Sequence, residues 1–322
     1  MSASIGLVHR MQFPAYVVNH LAALVCGERL DSAFLHHYLL RFSPSQLIQD
    51  AAYPSIRLSD IATLKMQLPP IDEQRRIATI LDKANALCAK RRKALAQLDR
   101  LAGATFVAMF GDPKFNPKGW KLNTIDSVTL DMRGGAALEP EDFIASGFPV
   151  LHKGAIKPGG QVETDSKKKA FADPVYARGR PQNIVNRQYV AVTLRDLVPS
   201  GPSIGLAADL QHAPQEEYLL AQGAYGVRLD PTRVCADYFV QLSNMPNFRH
   251  VLRQHAVGST QIHIRNPVYL SIEIPIPPIE AQREFSVRMK RVRQLALLSA
   301  DSLRQLNELF ESLQHRAFRG VL

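Results

Sequence analysis

Apolar residues recur at heptad-like spacing along two long stretches of the chain. From residue 71 to about 109 the row includes Ile77, Ile80, Ala84, Leu87, Leu98 and Leu101, and from 279 to about 318 it includes Phe285, Val292, Leu295, Leu306, Leu309 and Leu313. The spacing predicts two helices of roughly 40 residues, each about 60 Å long at 1.5 Å per residue. Pro69-Pro70 and Pro277-Pro278 end the segment before each helix, because a proline cannot donate to a ladder and biases the preceding residue away from helix. Asp72, Glu73 and Glu280 then fall in the first turn, where a carboxylate meets the positive end of the helix dipole. Gly111, followed by Pro113, stops the first helix, and Gly320 lies near the end of the second. A rod with one apolar stripe cannot bury it alone, so the two rods are expected to pair. Arg91, matched by Ser299, puts a polar layer midway along the seam that would fix its register.

The two rods are copies of each other. Leu68-Pro69-Pro70-Ile71-Asp72-Glu73-Gln74-Arg75 matches Ile276-Pro277-Pro278-Ile279-Glu280-Ala281-Gln282-Arg283 without a gap at an offset of 208, and Ser4-Ile5-Gly6-Leu7 recurs as Ser203-Ile204-Gly205-Leu206 at an offset of 199. Between the rods, apolar runs at 147–151, 189–194 and 224–229 alternate with Gly/Pro turns, which predicts a mixed α/β domain, with a helix over about 236–252. The expected order is a partial domain (1–67), a long helix (68–111), a complete domain (112–275) and a second long helix (276–322). Residues 1–67 mirror only the last part of the complete domain, so the sequence is expected to lie about 90 residues short of two full repeats.

Composition narrows the function. The chain has 322 residues, 46% hydrophobic and 21% charged, so it is globular rather than disordered. Its net charge of +10 points to an anionic partner. Cys26, Cys88 and Cys235 are too few and too scattered for a disulfide framework or a zinc site, which makes a reducing cytoplasm the expected setting. The apolar stretch 16–26 is too short to span a bilayer. No Asn/Asp-Pro-Pro-aromatic tetrapeptide, Gly-rich S-adenosylmethionine loop, phosphate loop or acidic nuclease cluster appears, since both Pro-Pro pairs are followed by isoleucine. His36-His37 reads as structural, because neighbours on a helix point apart, and Ser200-Gly201-Pro202-Ser203 lacks a His/Asp partner at motif spacing. A non-catalytic binding chain is expected.

The segment Leu68 to Ala78, the helix ending Met109-Phe110-Gly111-Asp112-Pro113, the run Asn116-Pro117-Lys118-Gly119-Trp120 and the close Ala317-Phe318-Arg319-Gly320-Val321-Leu322 together resemble the specificity (S) subunits of type I restriction-modification systems. The second copy departs at Ala281, where the family has Glu. The resemblance implies target recognition domains, each followed by a long helix, with the two helices packed antiparallel as a coiled-coil ruler. Each domain would read half of a bipartite site on double-stranded DNA. The resemblance also implies methyltransferase (M) partners carrying S-adenosylmethionine and restriction (R) partners using ATP and Mg, with no cofactor or metal on this chain and no membrane. Two alternatives stay open: a partial or decoy subunit that binds methyltransferase through its helices, and the specificity subunit of a related single-complex (type IIB-like) system.

Charge placement selects candidate DNA contacts. Residues 151–195 carry nine basic side chains against three acidic, within a domain (112–275) of 18 basic and 16 acidic. Lys153, Lys157, Lys167, Lys168 and Lys169 suit phosphates, whereas Arg178, Arg180, Gln182, Asn183 and Arg187 have the forked donors and amides suited to base edges. Thr260, Gln261 and His263 resemble a position near DNA in the family. The helix or partner interface is expected to use Ile77, Leu87, Arg91, Leu98, Leu101, Phe285, Val292, Leu295, Leu306 and Leu309. The basic run Lys90-Arg91-Arg92-Lys93 is read either as attraction to DNA or to an acidic partner face, or as a solvated helix surface.

Overall fold

The computed structural model describes residues 5–50, 54–163 and 170–322; Lys167, Lys168 and Lys169 lie outside the described residues. The described helices are α1 (Ser32–Arg41), α2 (Leu58–Ala62), α3 (Ile71–Phe110), α4 (Pro174–Arg178), α5 (Ala236–Asn244), α6 (Pro246–Gln254), α7 (Asn266–Ser271) and α8 (Ile279–Ala317). The described strands are β1 (Leu122–Thr124), β2 (Thr129–Gly134), β3 (Phe143–Ile144), β4 (Phe148–Leu151), β5 (Ile156–Lys157), β6 (Gln161–Val162), β7 (Phe171–Ala172), β8 (Ile184–Asn186), β9 (Val190–Thr193), β10 (Arg195–Asp196), β11 (Ala207–Asp209), β12 (Glu217–Leu220), β13 (Ala224–Leu229), β14 (Ile262–His263) and β15 (Glu273–Pro275). Contacts divide the chain into two compact units, residues 1–96 with 296–322, and residues 97–295.

In the first unit, the Asp31 carboxylate caps α1 by accepting from the backbone N–H groups of Ala33 and Phe34 at 2.9 and 3.0 Å. The helix buries Phe34 among Ile77, Ala78, Leu81 and Ala317, so the early part of α3 meets the late part of α8. Further along, Arg92 donates to Asn307 at 3.2 Å, and the two segments therefore run antiparallel. His37 is fully buried, its Nε2 lying 2.8 Å from Asp82 Oδ1, which gives it a structural role.

The second unit is a mixed α/β domain around two sheets. One is fully antiparallel in the order β11-β9-β13-β2. The other runs β3-β7-β4-β12-β8, with β4 and β12 parallel. The expected strands appear as β4, β9 and β13, because apolar runs buried on both faces suit inner strands. The core gathers Phe106 and Phe110 of α3, Tyr238 of α5 and Phe285 of α8, with Phe106 and Phe110 ring centroids 5.7 and 5.5 Å from Phe285.

The same device opens both long helices. Gln74 is completely buried; its Oε1 accepts from Asp31 N–H at 2.8 Å, and its amide donates to Arg29 O at 2.9 Å and Pro69 O at 2.7 Å. Gln282, equally buried, accepts from Cys235 N–H at 2.9 Å and donates to Arg233 O at 3.1 Å and Pro277 O at 2.8 Å. Each glutamine thus ties the first turn of a long helix to the start of an earlier helix, α3 to α1 and α8 to α5. These bonds also fix the register of the repeat, with Arg29 equivalent to Arg233 and Asp31 to Cys235.

At the far end of α3, Gly111 adopts φ +82°, and a Cβ there would lie 2.5 Å from Pro117. The Asn116 to Trp120 run then caps the helix. Lys118 Nζ donates to the carbonyls of Ala108 and Met109 at 2.9 and 2.8 Å, and the Trp120 indole N–H donates to Phe110 O at 2.9 Å.

Two expectations need correction. The helix expected over 236–252 is two helices, because Pro246 opens a new one and holds Met245 in an extended conformation. Leu87, Leu101, Leu295 and Leu309 do not lie on the buried seam; each is about half exposed, at 51, 49, 52 and 52%. The seam passes one place further on, through buried Cys88 and half-buried Ala102, Ala296 and Phe310. A straight helix has 3.6 residues per turn, so a heptad row drifts by about 20° per repeat and the buried stripe moves to the next position. Ile77 and Phe285 are buried and Arg91, Leu98, Val292 and Leu306 half-buried.

Candidate nucleic-acid interface

The sheet topology sorts the basic residues of the second unit into separate places. Parallel strands β4 and β12 define two ends. At their N-terminal end, Arg178 Nη2 lies 3.0 Å from Glu217 Oε2, with its guanidinium 4.8 Å above the Phe148 ring. Arg187 sits there too, 4.0 Å from Glu216. Arg180 stacks over Tyr176 at 3.7 Å. Acidic neighbours cancel much of the positive charge at this end.

The opposite end, about 10 Å away along four-residue strands, collects side chains from five segments. Lys153 follows β4 and donates to Arg195 O at 3.4 Å, with its ammonium 4.0 Å from Asp196. Arg195 leaves β9 and donates to Gln261 Oε1 at 2.7 Å. Arg195 also pairs across the β10–β14 ladder with His263. Gly223 separates Lys153 from Arg195; a Cβ there would lie 3.3 Å from Lys153 Cδ and from Arg195 Cβ. Asn183 donates its amide to Gly134 O at 2.7 Å, and Gly134 lies against the Tyr225 ring. Gln182, Thr260, Gln261 and His263 are exposed.

Thr260 and Gln261 owe their position to a hairpin. Val257 and His263 exchange backbone hydrogen bonds at 2.9 and 3.0 Å, closing a loop whose Gly258 takes φ +121°. A Cβ at Gly258 would fall 2.0 Å from Gln261 O, so glycine is required there.

Burial and charge tune the cluster. Burial pushes the Lys153 ammonium down; Asp196 opposes the shift and Arg195 adds to it. Burial alone would raise Asp196, but the Ser203 hydroxyl, the Ser203 and Leu197 N–H groups and Lys153 outweigh it and hold the carboxyl below its usual range. An ionised Asp196 therefore anchors the loop beneath Arg195. Next to it, Arg133 bonds Asp131 at 2.9 Å and reaches the carbonyls of Pro181 and Ile184, so it shapes the loop that carries Gln182 and Asn183.

Lys157 lies elsewhere, on the β5–β6 hairpin, 3.7 Å from Glu163. The structure thus joins Lys153, Gln261 and His263 through Arg195, places Asn183 against Gly134 of β2, and sets Lys157, Arg178 and Arg187 apart in ion pairs with Glu163, Glu217 and Glu216. Arg195 and Arg133 were not singled out from sequence; Arg195 does fall within the basic stretch, and only its link to Gln261, 66 residues away, distinguishes it.

Among the described residues, one trio has metal-ligating atoms within 4.8 Å of one another: Asp209, His212 and Asp237. Arg293 pairs with Asp237, and Asp209 caps a turn by accepting from Gln211 N–H at 2.9 Å, so ion pairing and capping account for the trio. No described helix is long and apolar enough to cross a membrane.

Residues 1–99 match the family described as the type I restriction modification DNA specificity domain. The chain is similar to the type I restriction enzyme MjaVIII specificity subunit of Methanocaldococcus jannaschii, with 21% identity over 308 residues, 91% of this chain and 71% of that protein. Two solved structures share the fold at a TM-score of 0.52. One is the type I restriction-modification S subunit from M. genitalium (14% identity, 90% of this chain and 73% of that one). The other comes from work on complex assembly and conformational transition of the type I system (17% identity, 90% and 71%). The mixed helix and strand architecture, the duplicated junction and the two long helices thus accompany a similarity to type I restriction-modification specificity subunits.

Proposed function

We propose that this chain is the non-catalytic sequence reader of a type I restriction-modification complex, and that its second unit reads one half of a bipartite DNA site through the sheet end bearing Lys153, Arg195, Gln261 and His263. The convergence of these side chains from separate segments carries the reading. Arg195 holds Gln261 Oε1, which fixes the amide plane and leaves its NH2 group free to donate to a base edge. Lys153 supplies a phosphate contact. Gln182 and Asn183, on the loop shaped by Arg133, extend the same end.

The half-exposed Leu87, Leu101, Leu295 and Leu309 support docking of methyltransferase subunits on the long helices. They occupy equivalent positions in the two repeats, and apolar side chains left off the seam are what a helical partner would cover. Restriction subunits would then assemble around that complex. Anisotropy titrations with duplex DNA test the reader assignment: Arg195→Ala should weaken binding at least tenfold, whereas Lys157→Ala, on a separate hairpin, should change it less than threefold. Equal effects would refute the assignment.

A further inference from the structure

The loop that presents Gln182 is braced by a polar chain that starts in the core of the second unit. Buried Tyr189 donates its hydroxyl to Asp131 of β2, 58 residues away. Asp131 also accepts from Arg133 Nε at 2.9 Å, and the Arg133 guanidinium lies 5.1 Å from the Tyr189 ring centroid. Arg133 Nη1 then donates to Pro181 O at 3.0 Å and to Ile184 O, the carbonyls on either side of Gln182 and Asn183. Burial and the Asp131 contact push the Tyr189 hydroxyl up, so it stays a donor; the Tyr189 hydrogen bond holds Asp131 low, so it stays an ionised acceptor. Glycine permits this approach. A Cβ at Gly226, the cross-strand partner of Arg133, would lie 2.5 Å from Val185 Cγ1 and 3.2 Å from Tyr189 Cδ1.

The two residues between those carbonyls are not equivalent. Asn183 is half-buried, and it donates its amide to Gly134 O at 2.7 Å and its backbone N–H to Arg180 O at 2.9 Å. Gln182 is exposed, and its side chain has no hydrogen-bond partner among the described residues. In the sheet, β8 lies beside β12 and β12 beside β4, so the start of β8 stands roughly 10 Å from the end of β4 that leads to Lys153, about three base-pair steps of a duplex. We infer that Gln182 is a base reader and that Tyr189, Asp131, Arg133 and Asn183 are positioning residues for it, on the reading that this end of the sheet meets DNA. A glutamine amide pairs with N6 and N7 of adenine in the major groove, which makes adenine the expected base. The brace orders the loop before binding, so its loss costs base discrimination while phosphate contacts persist.

Selection from a randomised bipartite duplex library, with the chain and the methyltransferase subunit proposed as its partner, separates these roles. Gln182→Ala should relax preference for adenine at one half-site position by about tenfold, a position that Gln261→Ala leaves intact. Tyr189→Phe, which removes only the hydroxyl, should relax that same position by roughly threefold or more and leave the salt slope of duplex binding unchanged. Asp131→Asn gives the same readout should Tyr189→Phe fail to fold. Asn183→Ala should relax the Gln182 position and no other. A preference at that position that survives both Tyr189→Phe and Asp131→Asn would overturn the brace, and an additional position relaxed by Asn183→Ala would overturn the positioning role of Asn183. A profile that changes with Gln261→Ala but not with Gln182→Ala would overturn the reader role of Gln182 alone. A profile unchanged by either would remove the reading end itself, and the brace with it.

Discussion

Gln74 and Gln282 make the same three hydrogen bonds 208 residues apart, each joining the start of a long helix to a backbone N–H and a backbone carbonyl beside the N-cap of a preceding helix. Both side chains are fully buried. Removing either strands a backbone N–H and two carbonyls away from water, at about 1–3 kcal/mol for each buried group left unsatisfied. Gln282→Ala is therefore expected to lower unfolding free energy by about 2–4 kcal/mol with an unchanged urea m-value. A loss below about 0.5 kcal/mol would show that the clamp is dispensable.

The cap on α3 predicts a local effect. Lys118→Met keeps the aliphatic stem but leaves the Ala108 and Met109 carbonyls without their donor. The sole tryptophan, Trp120, sits beside these carbonyls, so its fluorescence should report fraying at lower urea than the global transition. Coincident transitions in the variant would contradict a capping role.

These two devices mark what sequence could and could not tell. The long helices, β4, β9 and β13 were legible because apolar periodicity is a local signal. The repeated Pro-Pro-to-Gln junction and the Asn116 to Trp120 run were visible as patterns, but their roles were not, because the groups they satisfy are backbone atoms that only folding brings near. The DNA-facing candidates suffered most. Charge counting placed Arg178, Arg187 and Lys153 in one basic stretch, and the sheet assigns the first two to the end occupied by Glu216 and Glu217. Leu87 and Leu101 fell off the seam through a drift too small to read from spacing alone.

Arg91 is half-buried on the seam, one residue before the Arg92 that donates to Asn307, and its equivalent in the second repeat, Ser299, is half-buried at a different level of the antiparallel pair. Arg91→Leu should raise the thermal midpoint, because burying a cation costs more than burying an alkyl chain of similar length. It should also loosen helix register, read as a broader spacer preference on bipartite DNA. A raised midpoint with an unchanged spacer preference would leave Arg91 without a register role.

Acid stability should depend on Asp131. The hydrogen bond from Tyr189, with Arg133 beside it, holds this carboxyl below the usual range against the opposing effect of burial. A depressed folded value contributes stability that is present above the unfolded pKa of about 3.9 and is lost as pH falls through the folded value. Asp131→Asn should flatten the decline in unfolding free energy below about pH 4. An unchanged slope would remove Asp131 from the acid response.

Selection of bound sequences from a randomised bipartite DNA library, using the chain together with the methyltransferase subunit proposed as its partner, tests the reader assignment most directly. The wild-type chain should enrich a defined half-site. Gln261→Ala should relax preference at one or two of its positions, by about 1–3 kcal/mol per base pair, while Lys153→Ala should weaken binding evenly and reduce the salt slope by about one. A half-site preference that survives Gln261→Ala and Arg195→Ala together would contradict the account.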